Sequence, residues 1–399
     1  MRIGILAHSF PKLSETFVLD NIIGMMDRGH DVSVFSLLSA HDSIQHPTIQ
    51  EYDILERTTY LDTPNSVPAA LLETVPNTML LAANAPEALG VIAKIERERG
   101  VLEAGRFAYR AHPVLHAELD VLHAHFGPVG RRAARFDQIG ACDAFVVSFH
   151  GWGIRRADEH GEQIYAHLFD HADCILANTR YTRERLIEFG ADPDTVRVHH
   201  VGINPDRFRP DDRTHDSDTM TVLTVARLHE TKGLEYGILA AKKLSKRLQD
   251  VDVRYRIVGS GSLEGKLRKQ IQENDASDVV TLCGPMDQTG VIDELHSADV
   301  FLLPSLEEGF GRVLLEAQAS ELPVVASDVG GIPEAVSPGD SALLVPPRDT
   351  EAIADRLKQL ANDPSTRATL GAAGRTYVRD NFDIEDLNDR LEALYAELV

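Results

Sequence analysis

The run Pro304-Ser305-Leu306-Glu307-Glu308-Gly309-Phe310-Gly311-Arg312-Val313-Leu314-Leu315-Glu316-Ala317, carried on through Leu322-Pro323-Val324-Val325-Ala326 to Gly330-Gly331-Ile332-Pro333, decides the fold. It reads as loop, helix, strand and loop in quick succession. Gly309 and Gly311 stand where a helix should begin, Val324–Ala326 form a short apolar strand, and Pro333 sits at the start of a further helix. Glycines at a helix start let a ligand approach the main chain, and the free N–H groups there suit a phosphate. A strand–loop–helix repeat of this kind belongs to a parallel α/β sheet.

The same rhythm extends outward in both directions. Towards the N-terminus, strands are expected at Thr221–Val225, Val253–Val258, Val279–Leu282 and Val300–Leu303, each followed by a loop and a helix. Before them, Gly202–Pro210 and the charged run to Asp218 read as a linker. An earlier set of strands is expected at Arg2–His8, Asp31–Leu37, Val121–His125, Phe145–Phe149, Cys174–Ala177 and Val196–His199. Residues 40–65 are irregular, and Pro64 and Pro68 bracket the start of alanine-rich helical material reaching about Arg110. The chain therefore divides into a first doubly wound domain at 1–203, a second at 204–380, and a closing segment at 381–399. The amphipathic stretch Asn388–Leu398 in that segment is expected to pack back on the N-terminal domain or across both.

Composition bounds the function. A chain of 399 residues exceeds one ordinary core, and 43% hydrophobic residues with a mean hydropathy of -0.17 describe a globular protein. No apolar run reaches the ~18 residues of a membrane span, and Met1–His8 reads as a strand without the features of a signal peptide. Cys142, Cys174 and Cys283 form no metal or disulfide pattern, so a cytoplasmic location is the simplest expectation. The formal charge is -22, with 18 basic against 27 acidic residues in 1–200 and 22 against 35 in 201–399. A uniformly acidic surface disfavours nucleic acid as a partner. With nine lysines against 31 arginines, it also fits a high-salt cytoplasm, where screening over ~3 Å at 1 M removes self-repulsion.

Several side chains could carry chemistry. Were Glu308 and Glu316 both helical, they would lie about 12 Å apart along the axis and roughly 80° around it. That does not suit the two carboxylates of a glycoside hydrolase, which flank one bond at about 5–9.5 Å. Glu316 is flanked by Val313, Leu314, Leu315, Ala317 and Ala319, so its carboxylate risks burial and needs partners: ribose hydroxyls, a capped backbone or an arginine. Arg227 and Lys232 occupy the loop after a strand, with Gly233 opening the next helix. They are either a diphosphate site or solvated charges. Gly259-Ser260-Gly261 is explained equally by a phosphate loop or a plain turn. His150, at a strand end before Gly151 and Trp152, is either a sugar contact or a satisfied core residue. His8, His123, His125, His199 and His200 match no metal motif. Arg131, Arg132, Arg135, Arg155 and Arg156 form solvated faces or meet an anionic acceptor or membrane surface.

In order, Ala226-Arg227-Leu228 with Lys232-Gly233, Val258-Gly259-Ser260-Gly261, Ala298-Asp299-Val300 with Leu303-Pro304-Ser305, Glu308-Gly309-Phe310-Gly311 with Glu316-Ala317, and Gly330-Gly331-Ile332-Pro333-Glu334 resemble glycosyltransferase family 4. Phe10-Pro11 with Ser14-Glu15-Thr16-Phe17, His123-Ala124-His125-Phe126-Gly127 and Phe149-His150-Gly151 resemble its exopolysaccharide, colanic-acid-type branch. The resemblance implies a GT-B fold, two Rossmann-like doubly wound domains facing across a cleft. It implies a retaining, metal-independent transferase without a cofactor, moving a sugar from a nucleotide-diphospho-sugar to a glycan, lipid-linked or small-molecule acceptor. Arg227 and Lys232 would hold the diphosphate and Glu316 the ribose. The main chain around Gly284-Pro285-Met286 would hold the base, and Glu308 with Gly309, Phe310 and Gly311 would meet sugar and phosphate. His150 would contact the donor sugar from the acceptor domain. Peripheral association with the inner face of a membrane fits a lipid-linked acceptor. The sequence departs from the family pattern in a first loop without a glycine pair, in Gly153 and Asn204 where Asp is common, and in Ser320-Glu321 before Leu322-Pro323. A nucleotide-sugar epimerase of the same architecture and a non-catalytic carbohydrate-binding protein are the alternatives.

Overall fold

The computed structural model describes residues 1–12, 15–39, 48–62, 86–210, 218–248 and 250–399. The alanine-rich material expected from Pro64 therefore lies outside the described residues up to 85, as do Ser14 and most of the charged run after Pro210. Two compact units are present: residues 1–199 together with 387–399, and residues 200–386.

Among the described residues, the first unit is built on seven strands: β1 (Arg2–Phe10), β2 (Asp31–Ser39), β3 (Thr58–Tyr60), β4 (Leu119–His125), β5 (Cys142–Phe149), β6 (Cys174–Ala177) and β7 (Val196–Val198). They are parallel throughout, in the order β3-β2-β1-β4-β5-β6-β7. Strands buried on both faces need continuous apolar runs, and Phe145–Phe149 and Cys174–Ala177 supply them. The second unit has, among its described residues, six parallel strands: β8 (Thr219–Val225), β9 (Asp252–Val258), β10 (Val280–Gly284), β11 (Val300–Leu303), β12 (Val324–Ser327) and β13 (Ala342–Val345). Their order is β10-β9-β8-β11-β12-β13. Counted from its own first strand, each sheet begins 3-2-1-4-5-6. The chain winds out one way from the first strand, then returns and continues on its other side. Ligands of such sheets bind beyond the carboxyl ends at that reversal, between β1 and β4 in the first unit and between β8 and β11 in the second.

The second unit's boundary falls at His199/His200 because the linker and the end of the helix Pro364–Phe382 are tied together. Ile203 N–H donates to Phe382 O at 3.0 Å, Ile384 N–H donates to Ile203 O at 2.9 Å, and His200 packs its ring on Phe310 and Phe382. From Leu387 onward the chain is part of the first unit. In the helix Ile384–Leu398, Leu391 and Tyr395 are fully buried among Ile3, Ile5, Val18 and Ile22. Asn21 donates to Asn388 at 3.3 Å, His30 meets Glu392 at 2.8 Å, and Arg197 grips Glu397 through two bonds of 2.6 and 2.7 Å. Burying two such side chains contributes about 2–3 kcal/mol each, which outweighs the exposed ion pairs.

Candidate active site

The second unit's reversal point is formed by the loops that follow β8 and β11. The first runs through Arg227, a short turn Glu230–Lys232, and Gly233 into the helix Leu234–Arg247. The second runs from Pro304 through Glu308 and Gly311 into the helix Arg312–Ala319. Thr231 O accepts N–H bonds from Leu306 at 2.7 Å and Glu307 at 3.1 Å, joining the two loops main chain to main chain. Gly233 has φ +56°, and a Cβ on it would lie 2.2 Å from Pro304 O. Only glycine permits both the left-handed turn and that approach.

The consequence is a pair of charges at the junction. Lys232 Nζ donates to Glu308 Oε2 at 2.5 Å, and the two side chains are only 15% and 13% exposed. Ser305 Oγ adds a long bond of 3.5 Å to the same oxygen. The loop after β12 closes on Glu308 from behind, where Gly331 N–H donates to Glu308 O at 3.0 Å. Gly330, at φ +54°, again leaves no room for a Cβ, which would sit 2.1 Å from that carbonyl. The glycines of the opening stretch thus serve loop packing as well as any ligand. The loop after β9 is braced similarly, with Leu228 N–H donating to Ser260 O at 2.8 Å and Gly259 N–H to Gly284 O at 2.8 Å.

Of the residues singled out in this unit, Arg227 is exposed and pairs with no carboxylate among the described residues. Glu308 lies in the loop and Glu316 in the helix body. Glu316 is less buried than its apolar neighbours suggest. Its side chain is 19% exposed, since Leu314, Leu315, Ala317 and Ala319 take the inward positions and leave Glu316 beside Arg312 at 3.9 Å. Phe310 turns its ring into the core against Phe382 at 5.4 Å, so only its main chain is left for a ligand. Met286 is partly buried just before the helix Gln288–Ser297, whose first turn is capped by Asp287 accepting from Gly290 N–H at 2.9 Å.

In the first unit, His150 follows β5, near the point where β1 and β4 adjoin. Its ring lies between Phe17 at 4.4 Å and Phe126 at 5.0 Å, and burial holds its pKa well below the ordinary value, with His125 and His199 adding to the effect. His123 and His125, which the sequence offers as part of the branch motif but with no role of their own, join it. His123 contacts Tyr395 Oη at 2.5 Å and Ser148 Oγ at 2.7 Å, and His125 Nδ1 lies 3.5 Å from His150 Nε2. The signal that could have found them is the alternation His-Ala-His at a strand's carboxyl end, which puts both rings on one face. Arg131, Arg132 and Arg135 lie on one helix, Gly127–Asp137, and pair with no carboxylate among the described residues. Burial and the nearby Arg99 both lower their pKa values. Among the described residues no group of three or more His, Cys, Asp or Glu is placed to hold a metal ion, and no helix is long and apolar enough to cross a membrane.

Two Rossmann-like parallel α/β units, the second with a Lys–Glu pair and two helix starts at its reversal point, define a protein of the GT-B class. Residues 206–377 match the family described as glycosyl transferases group 1, and residues 14–207 match Glycosyltransferase Family 4. The chain is 32% identical to a protein named for colanic acid biosynthesis, the glycosyltransferase WcaL of Salmonella typhimurium, over 99% of both chains. It is 30% identical to the amylovoran biosynthesis glycosyltransferase AmsK of Erwinia amylovora over 96% of both. In structure it is similar to HepE of Anabaena in complex with UDP, with a TM-score of 0.75 at 17% identity over the whole of both chains. Sucrose-phosphate synthase of Thermosynechococcus elongatus gives 0.73 at 21% identity, over 100% of this chain and 99% of that one. The chain belongs to glycosyltransferase family 4, and it is a glycosyltransferase.

Proposed function

We propose that the protein takes a sugar from a nucleotide-diphospho-sugar and passes it, with retention at the anomeric carbon and without a metal or other cofactor, to a glycan or lipid-linked acceptor in exopolysaccharide assembly. The observation that carries the donor site is the Lys232–Glu308 pair at the junction of the loops after β8 and β11. An ammonium has three donors, and Glu308 takes one, leaving two for phosphate oxygens. Arg227 supplies a second cation, exposed and with no carboxylate paired to it among the described residues. The starts of the helices after Gly233 and Gly311 add N–H donors and a favourable dipole for an anion. Glu316, partly exposed beside Arg312, is a carboxylate suited to the ribose hydroxyls, and the main chain at Gly284-Pro285-Met286 to the base.

Glu308 Oε2 is taken up by the Lys232 ammonium, so it is not free to serve as a general base. Catalysis in this reading therefore rests on charge stabilisation and positioning. As the bond from the anomeric carbon to the diphosphate oxygen breaks, Arg227 and Lys232 take up the charge left on the phosphate. The acceptor oxygen bonds to the anomeric carbon on the same face, and its proton passes to a phosphate oxygen of the leaving group. His150, held neutral, gives a hydrogen bond to the sugar. A lipid-linked acceptor met at a membrane surface is supported by Arg131, Arg132 and Arg135 and by the exposed Trp152, with Arg156 5.9 Å over its ring.

Arg227→Ala and Lys232→Ala are expected to lower turnover by ~10²-fold or more, and Glu316→Ala to raise the donor KM. Near-normal rates in both cation variants would remove the diphosphate role. The anomeric configuration of the product, read by NMR, decides retention against inversion.

A further inference from the structure

The histidines of the first unit form an ordered array whose geometry settles where their protons lie. His123 and His125 alternate along β4, and His150 follows the adjacent β5. His123 is committed at both nitrogens, to Tyr395 Oη and Ser148 Oγ, and its ring packs on His125 at 4.4 Å. Among the described residues, His125 therefore has only His150 as a hydrogen-bond partner. Their ring planes are 8° apart with centroids 5.8 Å apart, while Nδ1 and Nε2 are 3.5 Å apart. The 2.3 Å excess of the first separation over the second is about two ring radii, so both nitrogens lie on the line between the rings. The rings are not stacked face to face. They lie nearly in one plane, in the arrangement of an in-line, long N–H···N bond.

One proton serves that bond, and its placement has a consequence at each far edge. The His125 side chain is completely buried, and its Nε2 is sealed from solvent without a hydrogen-bond partner among the described residues. Burial also keeps both rings neutral, with the His125 pKa brought down to about 3. If His150 Nε2 carried the shared proton, His125 would have to hold its own on Nε2, as a buried N–H with no acceptor. If His125 Nδ1 carries it, Nε2 is a bare acceptor instead. An orphaned buried N–H is rarer and costlier than an under-used acceptor. The second arrangement wins, and it forces the proton of His150 onto Nδ1.

We propose that His125 is a positioning residue that fixes His150 as its Nδ1–H tautomer, so that the edge of His150 facing away from His125 is a permanent, neutral hydrogen-bond donor for a sugar oxygen. His150 is partly exposed, and among the described residues its Nδ1 has no partner. Phe17 and Phe126 fix the plane of its ring, and His125 fixes which nitrogen is protonated. The proposal rests on the reading of His150 as a sugar contact, but the tautomer can be read without any substrate.

The test is 1H–15N spectroscopy of the ring nitrogens in the full chain labelled at histidine, with His150→Gln used to assign the His150 signals. The expected result is a protonated Nδ1 and a bare Nε2 on His150, and the same on His125. In His125→Leu, His150 should revert towards the ordinarily favoured Nε2–H form, with turnover falling about 10-fold, the scale seen when an outer partner of a functional histidine is lost. His125→Asn, whose amide nitrogen can stand near the lost Nδ1, should restore both. A wild-type His150 protonated at Nε2 overturns the proposal, and so does an unchanged His150 tautomer in His125→Leu. Should His125→Leu fail to fold, the wild-type spectrum alone decides. The expected tautomer together with full activity in His150→Ala would instead overturn the sugar contact.

Discussion

Gly233→Ala probes the junction that positions the proposed donor site. Two penalties apply. Alanine at φ +56° costs about 1 kcal/mol for the left-handed conformation, and its Cβ would begin 2.2 Å from Pro304 O. Relief needs the loops after β8 and β11 to part by roughly 1 Å, which stretches the 2.7 Å bond from Leu306 N–H to Thr231 O and weakens it by about 1 kcal/mol. The expected loss of stability is about 2–3 kcal/mol, or a fall in melting temperature of roughly 5–10 °C for a unit of this size. Gly339→Ala is the matched control in the same unit: φ is +88°, but nothing lies within 4 Å of the added Cβ. It should lose only the conformational part, about 2–4 °C. Because Lys232 precedes Gly233 and bonds Glu308 at 2.5 Å, the same displacement should cost turnover ~10²-fold in Gly233→Ala and leave Gly339→Ala near normal. Melting by calorimetry and initial rates read both effects. Equal melting shifts in the two variants, with equal rates, would refute the claim that loop contact sets the site.

Other expectations concern the first unit. His125 has its pKa lowered from 6.5 to about 3, so the unfolded chain binds the extra proton first. That stability is intact above pH 6.5 and is lost as pH falls through the window to about 3. At pH 4.5 it amounts to about 2–3 kcal/mol, and urea melts of wild type and His125→Asn at pH 7.5 and 4.5 should show the smaller pH dependence in the variant. Tyr395→Phe leaves His123 Nδ1 buried without its partner and should cost about 1–3 kcal/mol in the same assay, while Tyr60→Phe at an exposed position should cost little. Replacing Arg131, Arg132 and Arg135 together with serine should weaken sedimentation with phosphatidylglycerol vesicles by ~10²-fold at low salt, at about 1 kcal/mol per arginine. Unchanged binding would remove these residues from any membrane contact.

Much of the fold was legible because parallel strands buried on both faces must be apolar along their whole length. Val300–Leu303, Val324–Ala326 and Cys174–Ala177 stand out for that reason, and the glycine-bearing loops after them mark where helices start. Less was legible at the edges. Thr58–Tyr60 is a three-residue edge strand with two exposed side chains, too short to show a period. Ala342–Val345 is a four-residue edge strand after a turn-rich segment, again too short to show a period. Pro333 does start a helix, but it lasts only from Ile332 to Ala335. Among the candidate site residues, loop or helix placement could be read from local pattern for Glu308 and Glu316. The direct bond between Lys232 and Glu308 could not, because 75 residues separate them and only the order β8-β11 makes them neighbours. The commitment of His123 to Tyr395 is longer-range still, joining β4 to the last helix.

The most direct test of the central claim is calorimetric titration of UDP-, GDP- and ADP-sugars into the wild-type chain and into Lys232→Ala and Glu316→Ala. The account predicts that at least one nucleotide-sugar binds the wild type, that each substitution weakens that binding at least about 10-fold, and that the nucleoside monophosphate loses the Lys232 dependence. A donor that binds both variants as tightly as the wild type would contradict it.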